Sequence, residues 1–74
     1  MIDVTYDPSV DAAYIRLGRG KVANTTEMSE NIILDYDADG RVIGIEILTA
    51  TKVLAPGEWS KARPPGSDRV DAAE

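Results

Sequence analysis

A small all-β protein, an antiparallel β-meander of about five strands with a flexible C-terminal tail, is the fold class these 74 residues predict. Three observations predict it. The stretch from Asn31 to Leu48 carries two apolar runs, Ile32-Ile33-Leu34 and Val42 to Leu48, flanking the turn Asp37-Ala38-Asp39-Gly40, and reads as a β-hairpin. Other short runs with a period of two recur before it. The connections between runs are short, which favours neighbouring strands in an up-and-down order.

The hairpin organises the rest. Gly40 supplies a positive-φ position at no steric cost, and the aspartates beside it can accept from nearby backbone amides. A three-residue loop with Gly40 in a bulge places Asp37 opposite Arg41, Asp35 opposite Ile43 and Ile33 opposite Ile45. Ile33, Ile43, Ile45 and Ile47 then share one side, and Ile32, Leu34, Tyr36, Val42 and Leu48 the other. A four-residue loop would instead align Ile32 and Leu34 with Ile45 and Ile43. In either register both faces are apolar, so the second face calls for cover.

Residues 2 to 6 alternate Ile2, Val4 and Tyr6 with Asp3 and Thr5, the pattern of a half-buried strand. Asp7-Pro8 opens a turn. Residues 12 to 17 are ambiguous, since Val10, Ala13, Tyr14 and Leu17 also have helical spacing. Tyr14 and Ile15 favour strand, with Gly18-Arg19-Gly20 as the next tight turn. Residues 22 to 28 make a polar strand suited to an edge. Ser29-Glu30 leads into the hairpin.

After Leu48, Thr49 to Leu54 either extends the last strand or forms one irregular turn. Residues 1–54 thus read as the β-domain. Residues 55–74 hold three of the four prolines and no apolar period, and read as a flexible tail. Trp59 is the exception, an anchor for the chain's own sheet in preference to a partner.

Composition narrows the function classes. The chain has no Cys and no His, which removes disulfides, thiolate nucleophiles and the commonest general base and transition-metal ligand. No run is long enough for a membrane span and no signal-peptide pattern is seen, so a cytoplasmic location and no membrane are expected. Residues 1–50 hold nine acidic and four basic side chains, and residues 51–74 four of each, so the formal charge of −5 lies in the predicted domain. Such a balance disfavours direct nucleic-acid binding and suits a basic partner.

The run Val4 to Leu17, with Tyr6, Asp7, Asp11, Tyr14 and Ile15 in a Tyr-Asp-x-x-x-Asp-x-x-Tyr-Ile pattern, and the hairpin with Asp35, Asp37, Gly40, Gly44, Ile45 and Glu46 together resemble the small bacterial domain-of-unknown-function family 2283. The resemblance covers residues 1 to about 54. It implies a small β-rich domain without established activity, and some relatives sit beside a second small protein in pairs that look like toxin and antitoxin. The tail lies outside the pattern.

Two constellations could carry chemistry. Asp35, Asp37 and Asp39 with Gly40 and Glu46 satisfy the written calcium-loop pattern, but the flanking runs look extended and would carry Glu46 away from the turn. The three aspartates remain weak metal candidates, and no metal or other cofactor is expected. Asp7 and Asp11 beside Tyr6 and Tyr14 could form an acid-base pair, although turn-capping roles are simpler. No catalytic residue is assigned and no enzyme is expected. The expected function is a protein-binding module, antitoxin-like toward a small basic partner, with Tyr36, Val42, Leu48 and Trp59 as partner-binding candidates. The alternatives are a homodimeric structural domain, in which the partner is the chain itself, and a calcium-binding hairpin.

Overall fold

The computed structural model describes residues 2–66. Five strands form one antiparallel sheet: β1 (Asp3–Asp7), β2 (Ala12–Arg16), β3 (Asn24–Ser29), β4 (Ile32–Tyr36) and β5 (Val42–Leu48). One helical turn, α1 (Ala50–Val53), and a 3-10 turn (Glu58–Lys61) follow. The Asp7 carboxylate holds the first turn by accepting from the Ser9 amide and hydroxyl at 3.0 and 2.6 Å. Residues 12 to 16 are strand, as Tyr14 and Ile15 predicted.

The strands lie in the order β1-β2-β5-β4-β3. The antiparallel five-stranded class is therefore as read, but the order is not that of a sequential meander. β5 takes the centre because it is the longest strand and carries the buried Ile43 and Ile47. The polar β3, exposed throughout, takes an edge. Residues 17 to 23 consequently cross the hairpin end. Leu17 and Gly18 donate their amides to the Ile43 carbonyl, at 2.8 and 3.2 Å, and Ala23 donates to Tyr36 at 2.8 Å.

The hairpin register matches the three-residue-loop reading only at its tip. Asp37 donates to the Arg41 carbonyl at 2.8 Å, Tyr36 pairs with Val42, and Gly40 has φ 82°. Beyond the tip a β-bulge at Ile43 shifts the pairing by one, so Leu34 lies opposite Ile45, Ile33 opposite Glu46 and Ile32 opposite Ile47. Neither register anticipated from the turn holds in the body of the hairpin. The outcome is one apolar side carrying Ile32, Leu34, Tyr36, Val42, Ile45 and Ile47, and a mixed side carrying Ile33, Asp35, Gly44, Glu46 and Leu48. The hairpin is not apolar on both faces.

Residues 49–66 form a strap over part of the apolar face. Ala13, at 1% exposure, Ile47, Tyr6 and the fully covered Ala50 make the core, with Ile15, Ile45, Leu54, Trp59 and Ala62 packed around them. Trp59 meets Tyr6 edge-on with ring centroids 5.1 Å apart, a geometry worth about 0.5–1.5 kcal/mol beyond the area buried. The Tyr6 amide donates to the Arg63 carbonyl at 3.0 Å, and Arg63 pairs with Asp3, so the strap also covers the free edge of β1. Within residues 55–66, Trp59, Ala62, Arg63 and Gly66 are half-buried and the others exposed, so this part of the predicted tail is held at the Trp59 and Ala62 contacts with the core and at Arg63. The rest of that expectation falls on residues 67–74, outside the described residues.

Candidate interaction surface

Strand alternation separates charge completely. Across the four pairings, Asp3, Asp7, Arg16, Glu27, Asp35 and Glu46 all project from one side of the sheet. The other side carries Val4, Tyr6, Ala13, Ile15, Asn24 and Thr26 together with the apolar set of the hairpin. No strand residue on that side is charged. The strap covers it over β1, β2 and the adjoining end of β5. Ile32, Leu34 and Tyr36 remain half-buried and Val42 is 38% exposed, so the part over β4 and β3 is open among the described residues.

Two polar clusters hold the arrangement in place. Asp11, in the left-handed region at φ 55°, accepts from the Tyr6 hydroxyl at 2.7 Å, the Thr51 hydroxyl at 2.7 Å and the Thr51 amide at 3.1 Å. Its own carbonyl accepts from the Ala50 amide at 2.8 Å. It therefore caps α1 from a distant part of the chain, taking over amides the single turn leaves unpaired. The hydrogen bonds from Thr51 and then from Tyr6 hold its carboxyl below the usual range, and the bond to Asp11 raises the Tyr6 phenol.

On the charged side, the Tyr14 hydroxyl donates to Asp35 at 2.9 Å and Thr25 donates to the other carboxylate oxygen at 2.9 Å. Tyr14 lies over Gly44, where an added Cβ would stand 1.9 Å from its hydroxyl oxygen. Burial first, and Asp35 second, raise the Tyr14 phenol. Around it an open groove of about 760 Å³ is lined by Asp3, Asp7, Arg16, Glu46 and the strap's Pro65 and Gly66. The Arg16 guanidinium is turned onto the carbonyls of Gly18 and Gly20.

A model for a protein family of unknown function, DUF2283, matches residues 3–50. The chain belongs to the DUF2283 family. No curated protein and no solved structure matches it. The DUF2283 match ends inside α1, so most of the strap lies beyond the matched segment. The family-like positions Tyr6 and Asp11 join one cluster, and Tyr14, Asp35 and Gly44 the other. The two clusters do not meet in one site, since Tyr6 and Tyr14 project from opposite sides of the sheet.

The other anticipated residues scatter. Asp35 is engaged on the sheet, whereas Asp37 and Asp39 share Arg41 at the hairpin tip, each at 3.2 Å. Asp37 also accepts from the Asp39 and Arg41 amides at 2.9 Å, and the Arg41 amide is the main cause of its lowered carboxyl. Among the described residues, no three acidic side chains come together in a group able to hold a metal. Of the partner-binding candidates, Tyr36 and Val42 lie together on the open uncharged face. Leu48 projects from the other side, and Trp59 is docked on Tyr6. Ile32 and Leu34 share the uncharged face with Tyr36 and Val42, as the three-residue-loop reading had it, and the bulge adds Ile45 and Ile47, which that reading placed on the other side. Gly44 inside an otherwise β-branched strand was the available signal of such an irregularity. Among the described residues, no helix is long and apolar enough to cross a membrane.

Proposed function

We propose that this DUF2283 chain is a noncatalytic protein-binding module whose docking surface is the open part of the uncharged sheet face. One observation carries the reading: all six charged strand residues project from one side, and the other side is only partly roofed by its own strap. A sheet buries an apolar face against a second layer in a stable domain, and here that layer stops short of Leu34, Tyr36 and Val42. The lack of Cys and His in the sequence supports a role without catalysis.

A second reading takes the groove of the charged side as the contact for a basic partner, as an antitoxin would use it. Asp7 and Glu46 favour it. One experiment tests both. The chain and its Leu34→Lys and Glu46→Lys variants serve as baits in lysate of the source cells. A protein retained by the wild type and Glu46→Lys but lost with Leu34→Lys is the expected result. Loss only with Glu46→Lys would move the surface to the charged side, and equal retention by all three would overturn both readings.

A further inference from the structure

The uncharged face has to meet something that is itself uncharged, and this narrows the occupant. A basic partner would be recognised by acidic groups around the apolar contact. Here the strands hold their acidic groups on the far side, leaving Asn24, Thr26, Tyr36 and aliphatic side chains to make the contact. From these observations, resting on the protein-binding reading above, we infer that the occupant is a second copy of this chain, docked open face to open face.

Charge is the first support. A chain carrying −5 is repelled by its twin unless the charges stay away from the contact. Sheets pack face to face about 10 Å apart. With outward side chains added, the charged sides of two such sheets stand on the order of 20 Å apart, beyond the ~8 Å over which physiological salt lets exposed charges interact. The segregation of the strand charges thus lowers the electrostatic penalty to self-association.

Shape is the second. The strap stands above β1 and β2, whereas β4 and β3 lie one layer lower. Two stepped surfaces of this kind fit each other about a two-fold axis, each low half against its counterpart and each strap beside the other's sheet. The described strap also ends at Pro65 and Gly66 beside the charged groove, away from the open half. β3, β4 and the Val42 end of β5, at about 4.8 Å spacing and about 3.3 Å per residue, give a flat footprint of roughly 200–300 Å² per copy. Side-chain relief and strap contacts enlarge it, but it stays in the small-interface class, so the dimer is concentration-dependent.

The test is solution mass by light scattering from low micromolar to high micromolar concentration. The expected result is a rise from 8.0 kDa toward twice that mass. Thr26→Lys, an exposed edge position on the uncharged side, should abolish the rise, whereas Glu27→Lys, one residue along on the charged side, should preserve it. Unchanged Trp59 fluorescence confirms that each variant is folded. A monomer at every concentration, or a dimer broken by Glu27→Lys and not by Thr26→Lys, overturns the inference. A monomer whose Leu34→Lys variant still loses a captured protein overturns the second copy alone and leaves the protein-binding reading standing.

Discussion

Gly44 shows what one missing side chain permits. Tyr14 lies across it to reach Asp35, and an alanine there would place a methyl carbon 2.5 Å from the ring carbon that bears the hydroxyl. Gly44→Ala should therefore push Tyr14 off the sheet and break its bond to Asp35, at a cost of about 1–3 kcal/mol in urea unfolding. In a Tyr14→Ala background the same change should cost little, and that coupling is read by a double-mutant cycle. The phenols make a further prediction. Tyr6 and Tyr14 ionise above their ordinary 10.0 in the fold, so their contribution is complete below pH 10 and is lost as pH rises through the raised values. Thermal melts should fall on the alkaline side, and Tyr14→Phe should soften that fall. In the sequence Tyr14 and Gly44 belong to two separate segments of the family resemblance, and nothing there shows that they touch, because their contact depends on β5 pairing with β2.

At the scale of elements, all five strands were legible from alternation and turn chemistry, and so was the preference of Trp59 for the chain's own sheet. For Thr49 to Leu54 the sequence left open a longer strand or one irregular turn, and the structure makes it the one-turn α1, whose four residues have no helical period to read. Its cap comes from Asp11, forty positions before Thr51. This makes acid lability a test of the strap. The carboxyls of Asp11 and Asp37 lie below their ordinary 3.8 in the fold. Their stabilisation is present above that value and is lost as pH falls through the lowered ones. Asp11→Asn, which keeps the left-handed backbone accessible, should lower the melting temperature at neutral pH and flatten part of the acid limb. Trp59→Ala should cost about 2 kcal/mol, less than a fully buried tryptophan, and should speed hydrogen exchange at the Tyr6 amide, whose acceptor is Arg63 in the strap.

For the whole molecule, the slab measures 36 × 33 × 20 Å, close to a single sheet with a partial second layer. Its class followed from composition and periodicity, but its strand order did not. The local rule that neighbours in sequence are neighbours in space fails where a stronger central strand displaces a polar one. The bulge made the same kind of difference to the surface, since one extra residue decided which side of β5 carries Glu46. That strand order also sets a sequence of events in time. β1–β2 and β3–β4–β5 are two units of short-range pairing, whereas the β2–β5 seam joins residues some thirty positions apart. Closing it costs loop entropy before it returns contacts. Each unit should form quickly, with the seam as the slow step. Ala13→Gly and Ile47→Val, placed on that seam, should slow refolding, while Thr25→Ala, out on β3, should act mainly on the unfolding limb. Stopped-flow refolding followed through Trp59 would report it, because the tryptophan finds Tyr6 only after the two halves have met.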